Sequence, residues 1–138
     1  MLDIAAGSGL YGIGLARRNP NVDVFAVDGP DVLAVAAENA RKAGIEKHYH
    51  PIPGSAFEVD FGSGYDIALI TNFLHHFDLG TCEHLMKKVY AALKDGGRAV
   101  TLDLIPNEDH VTPREAGSFG LAMLVSTPHG DIYTYAEL

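Results

Sequence analysis

Leu2-Asp3-Ile4-Ala5-Ala6-Gly7-Ser8-Gly9-Leu10-Tyr11-Gly12, answered one strand later by Val27-Asp28, is the stretch on which the reading of this chain turns. A short apolar strand that ends in Gly-x-Gly and runs straight into a helix lets a ligand approach the backbone where the helix N–H groups are free. Asp28 closes the second strand about 20 residues after the turn, where a carboxylate can take both hydroxyls of a ribose. The pattern marks a binder of a nucleoside cofactor.

The rest of the chain limits what such a binder can be. Its 138 residues suffice for one domain with a single core, residues 1–138. A net charge of -8 and scattered Lys and Arg offer nothing to neutralise phosphates, so no nucleic-acid partner is expected. Cys82 is alone, which excludes a disulfide framework and suits a reducing, cytoplasmic setting. The N-terminus carries Asp3 early, and Arg17-Arg18 follow its apolar stretch instead of preceding it, so neither a signal peptide nor a membrane span is expected. The seven histidines show neither the cysteine partners nor the helical i, i+4 spacing of a metal site.

Strand and helix signals alternate, as in a parallel sheet with crossover helices. Strands are expected at Leu2–Ile4, Val22–Val27, His48–Pro53, Asp66–Thr71 and Arg98–Ile105. Pro51 and Pro53 each lack an N–H, which suits a sheet edge. The first helix should span Leu10–Arg18, and the second should begin at Pro30 with a stripe of Val32, Leu33, Ala36 and Ala40. Leu85, Val89 and Leu93 mark a third helix ending at Gly96-Gly97, and Ser118–Val125 reads as a fourth after a polar loop over 107–117. Met1 falls almost inside the first strand, and Tyr135-Ala136-Glu137-Leu138 reads as the start of a helix. A piece of a larger protein is therefore expected.

Asp3 discriminates between cofactors. A carboxylate at the end of the first strand would repel the pyrophosphate of a nicotinamide or flavin dinucleotide, and it suits a ligand carrying an ammonium or sulfonium. S-adenosylmethionine carries both. At this point the sequence resembles the class I S-adenosylmethionine-dependent methyltransferases: Leu2 to Gly9 looks like their first motif, with Ala5 where the first glycine usually stands. Val27-Asp28 resembles their ribose-binding acid, and Pro53-Gly54-Ser55-Ala56-Phe57 their adenine-holding turn, with Ser55 in place of the usual Asp. Asn72 to Asp78 and Ala91 to Arg98 look like later motifs. Met123 to Gly130 and Tyr133 to Glu137 resemble one subfamily, the small-molecule O-methyltransferases of the caffeate and polyketide type.

The resemblance implies an α/β, Rossmann-like, doubly wound parallel sheet of order 3-2-1-4-5, without the sixth and seventh strands of that family. It implies that S-adenosylmethionine, or S-adenosylhomocysteine as product, is held by Asp3, Ala5, Gly7, Gly9, Asp28, Gly29, Ser55, Ala56, Phe57 and Asn72. It further implies methyl transfer to the hydroxyl of a small-molecule acceptor, with His75 as general base and Asp103 orienting it. The family's second orienting acid aligns near Ile132, which cannot serve. Two other readings stand beside this one: an NAD-dependent oxidoreductase, and a cofactor-binding fragment without catalysis. His75 and His76 could also do no more than cap the loop before the next helix. An uncovered fifth strand should drive self-association into a homo-oligomer.

Overall fold

The computed structural model describes all 138 residues. Five strands lie in one sheet: β1 (Leu2–Ile4), β2 (Val24–Asp28), β3 (Tyr49–Pro53), β4 (Tyr65–Thr71) and β5 (Leu93–Leu102). Every pairing is parallel and the order is β3-β2-β1-β4-β5, as expected. Helices α1 (Leu10–Arg18) and α2 (Pro30–Lys42) cover one face, α3 (Leu79–Ala92) covers the other, and α4 (Arg114–Ser126) follows β5.

The two faces divide β1 residue by residue, because successive side chains in a strand point to opposite sides. Leu2 and Ile4 pack with Ala68, Ile70, Leu85 and Val89 beneath α3. Asp3 points the other way, into the layer where Ile13, Ala16, Leu33 and Ala36 of α1 and α2 meet Val24 and Ala26. Burial of each large apolar side chain in these layers contributes about 1.5–3 kcal/mol.

Several boundaries differ from the sequence expectation. α3 ends at Ala92, not at Gly96-Gly97: Leu93 is already extended and pairs with Tyr65. The left-handed Gly96 (φ 76°) and a register irregularity between Tyr65 and Ile67 turn the chain straight into β5, so the Gly-Gly pair bends a strand instead of capping a helix. β5 stops at Leu102, where its last carbonyl accepts the Asn72 N–H at 2.7 Å, and Asp103 to Ile105 continue as loop. β2 begins two residues later than expected, at Val24, and includes Asp28. α4 starts at Arg114 and takes up part of the expected loop. The C-terminus closes in a single turn, with the Glu137 and Leu138 N–H groups both reaching the Thr134 carbonyl.

Candidate active site

The site is built at the carboxyl ends of β1, β2 and β4, where an open parallel sheet presents its loops. After β1 the chain enters α1 through Gly9, the N-cap, at φ 82°, a left-handed conformation that favours glycine. No side chain caps α1, so its first N–H groups remain available at the positive end of the helix dipole. The turn is braced from two sides. Gly7 N–H donates to Asp28 Oδ2 at 2.9 Å, while Asn39 Nδ2 of α2 donates to the Ser8 carbonyl at 2.9 Å. Asp28 Oδ1 also accepts from Gly29 N–H at 2.7 Å. Each carboxylate oxygen keeps a second acceptor position, so Asp28 can still receive hydroxyl donors.

A cavity of about 460 Å³ opens beside this turn, lined by Ala5, Asp28, Gly29, Ser55, Ala56, Phe57, Phe73 and Phe77 among others. Six of the residues expected to hold the cofactor are thus brought together. Gly7 and Gly9 form the adjoining turn, and Asn72 precedes the aromatic wall. Ala5 and Asn72 stand at φ 55° and 51°, and such left-handed non-glycine residues cost of order 1–3 kcal/mol each. Phe57, Phe73 and Phe77 form an edge-to-face cluster, with centroids 5.0 Å apart for Phe57–Phe77 and 4.9 Å for Phe73–Phe77. Ser55 is exposed, and its Oγ accepts the Phe57 N–H at 3.3 Å. A larger hollow of about 870 Å³ lies at the opposite, amino-terminal ends of the strands and contains none of the expected site residues.

Asp3 does not line the crevice. It is 1% exposed, beneath the first turn of α1, and neither carboxylate oxygen has a hydrogen-bond partner. Burial pushes its pKa up to about 6; the nearby Gly12 N–H opposes that rise and the Asp28 charge adds to it. Alternation along β1 is the reason: Asp3, the middle residue of the strand between Leu2 and Ile4, points into the helix layer and not out of the sheet's end.

His75 and Asp103 meet as expected. His75 Nδ1 lies 2.6 Å from Asp103 Oδ1, and both side chains are more than 90% buried. With Nδ1–H donating to the carboxylate, Nε2 is left with its lone pair free. Phe119 of α4 stands edge-on to the His75 ring, 4.8 Å between centroids, and restricts its rotation. The helix that follows, α3, is capped by Asp78, whose Oδ1 accepts the Thr81 N–H at 2.9 Å. His76 is exposed, and burial of part of its ring together with its neighbour His75 lowers its pKa. Ile132 is 3% exposed and faces Gly120, so no second acid reaches the pair. Asp103 also borders a hollow of about 540 Å³ with Ile105 and Tyr135.

Sequence reasoning passed over Asn39, Phe73, Phe77 and Phe119. The i, i+4 spacing of Phe73 and Phe77 could have flagged that pair. Asn39 reaches Ser8 across 31 residues, which no local pattern reveals.

A five-stranded parallel sheet of this order, with a glycine turn after β1, an acid closing β2 and a buried His–Asp pair, defines a Rossmann-like α/β protein. The chain belongs to the O-methyltransferase domain family, whose model matches residues 1–138. A solved protein of Nostoc punctiforme PCC 73102, described as a candidate O-methyltransferase, is 54% identical over 99% of this chain and 42% of its own, with a TM-score of 0.97. An O-methyltransferase family 2 protein of Planctomyces limnophilus DSM 3776, solved with apigenin, is 32% identical over 99% of this chain and 41% of its own, with a TM-score of 0.92. The 3-hydroxy-5-methyl-1-naphthoate 3-O-methyltransferase of Streptomyces sahachiroi is 30% identical over 99% of this chain and 39% of that protein. Family members bind S-adenosylmethionine or its product; PigF, 26% identical, was solved with S-adenosylhomocysteine. The chain spans about two fifths of the length of these relatives.

Proposed function

We propose that this chain is the cofactor-binding and proton-accepting part of an S-adenosylmethionine-dependent O-methyltransferase acting on the hydroxyl of a small molecule. The observation that carries the reading is the buried 2.6 Å His75–Asp103 bond, formed at the same strand ends as the glycine-turn cavity. The cavity fits the cofactor's chemistry: Asp28 offers acceptors for a ribose, Phe57, Phe73 and Phe77 an apolar wall for a base, and the uncapped start of α1 N–H groups for a carboxylate.

When bound, the cofactor supplies a methyl group open to in-line displacement. The protein's task is then to hold a hydroxyl in place and accept its proton. Asp103 fixes the His75 ring as the Nδ1–H tautomer and steadies the imidazolium that forms. His75 Nε2 takes the proton of the acceptor hydroxyl as the oxygen becomes a nucleophile. Phe119 of α4 holds the ring edge-on and sets an apolar side chain against it. With Ile132 where a second acid would stand, the charge on the imidazolium is balanced by Asp103 alone.

Calorimetric titration with S-adenosylhomocysteine and, separately, NADH tests the reading. S-adenosylhomocysteine should bind at micromolar concentration and NADH should not. Asp28→Ala, which also leaves the Gly7 and Gly29 N–H groups without their acceptor, should weaken binding at least about tenfold. Binding of NADH alone would overturn the reading.

A further inference from the structure

Lys88, in the second half of α3, is half-buried and has no part in the proton transfer above. Its neighbour Lys87 pairs with Glu83 in solvent, whereas Lys88 forms no ion pair. Its Nζ donates instead to two main-chain carbonyls, Ala56 at 2.9 Å and Val59, and stands 4.2 Å from the centre of the Phe61 ring. Nothing else in the protein donates to either carbonyl. The segment they belong to is a single helical turn, in which the Glu58 and Val59 N–H groups both reach the Ser55 carbonyl. One such turn is unstable by itself, because it fixes several dihedral angles for very few bonds. The ammonium meets the carbonyls that the turn leaves open, as lysines do at helix C-termini.

That turn carries part of the cavity wall. Ser55, Ala56 and Phe57 line the cavity beside the glycine turn, and Phe57 meets Phe77 edge-to-face at 5.0 Å. Phe77 directly precedes Asp78, the N-cap of α3. One helix thus anchors both sides of the aromatic wall: Phe77 at its start and, through Lys88, Phe57. We propose that Lys88 is a positioning residue of this cavity: its bonds to the Ala56 and Val59 carbonyls set the place of Phe57, and with it the affinity for the base of a nucleoside ligand. The inference rests on the cofactor reading of the cavity. Lys88 does not itself line the cavity and acts only through the turn. Ala56 and Phe61 are buried, so little water competes for the ammonium and its bonds to the carbonyls are strong. Without those donors the turn adopts other arrangements, and apparent affinity falls with the fraction of molecules that keeps Phe57 in place.

The test is calorimetry with S-adenosylhomocysteine on the wild type, Lys88→Met, Lys88→Arg and Lys87→Met, with urea unfolding and amide hydrogen exchange on each without ligand. Lys88→Met keeps the aliphatic stem and removes every donor, and its affinity should fall about five- to twentyfold. Exchange over residues 56–61 should quicken in that variant, while exchange in β1 and β2 stays as in the wild type. Lys88→Arg supplies donors again and should recover affinity to within about threefold of the wild type. Lys87→Met, one residue away and in solvent, should match the wild type in affinity and exchange. Phe57→Ala tests the route. In that background Lys88→Met should weaken binding less than about twofold, because the ring it positions is gone. If Lys88→Met does not fold, Lys88→Gln is measured in its place with the same expectation. A lowered urea midpoint with affinity within about twofold of the wild type would make Lys88 a strap for the fold alone and overturns the inference. An undiminished loss in the Phe57→Ala background overturns it too, and either result leaves the cofactor reading intact. Failure of the wild type to bind S-adenosylhomocysteine overturns both.

Discussion

Asp3 is a residue whose burial takes it well away from its ordinary chemistry. In the unfolded chain its carboxyl titrates near 3.8, and in the folded chain burial raises that to about 6. Between those values the folded state holds the extra proton, so this group's contribution falls as pH rises through the window. Above about pH 6 the ionised, buried carboxylate costs the fold about 3 kcal/mol. Asp3→Asn carries no charge at any pH. Its stability relative to wild type, measured by urea unfolding, should therefore increase by about 2–3 kcal/mol between pH 4 and pH 7.5. A difference that stays constant with pH would show that Asp3 is not desolvated as the structure places it. The dyad yields a second prediction at this scale. Asp103 locks the His75 ring through Nδ1, so the wild type should show an Nδ1–H, bare-Nε2 imidazole in nitrogen NMR spectra. Asp103→Ala should release a mixture of tautomers.

Among the elements, α1 sits close against the sheet beneath it. A Cβ at Gly12 would come within 2.4 Å of Asp3 Oδ2 and 2.9 Å of Val24 Cγ1, two groups fixed in the sheet. Gly12→Ala should thus lift α1 off β1 and β2 at a cost of about 1–3 kcal/mol by chemical denaturation, despite alanine's better helix propensity. An unchanged or raised midpoint would mean that the helix shifts freely. The same element shows why the third glycine of the turn was legible in the sequence while its purpose was not: the spacing announces a glycine, but only the structure shows the carboxylate below it. The sheet order and the His75–Asp103 pairing were legible through the family resemblance of the motifs, not through local pattern alone. The end of α3 did not. Leu93 continues the apolar stripe of Leu85 and Val89, so local pattern favours one more helical turn, and pairing of Leu93 with Tyr65 wins only through a strand 28 residues away. The brace from Asn39 to Ser8 and the hold of Lys88 on the Ala56 and Val59 carbonyls were hidden for the same reason. Each depends on a partner that sequence distance conceals.

The whole molecule has two sheet edges that differ in kind. On β3, Pro51 and Pro53 remove two N–H groups and blunt the edge. β5 has no such protection: it runs ten residues, pairs only with β4, and leaves Val100 and Leu102 at 45% and 46% exposure. A free strand edge of that length with apolar side chains is a template for a second copy of itself, since edge-to-edge pairing would satisfy the free N–H and C=O groups and bury the side chains in one step. The mass measured by sedimentation velocity should rise with concentration toward a dimer. Val100→Lys with Leu102→Lys places two charges on that strand and should hold the chain monomeric, with an unchanged circular dichroism spectrum. A wild-type chain that stays monomeric into the high micromolar range would mean that the twist of β5, or the loop from Asp103 to Pro113, already keeps other strands away.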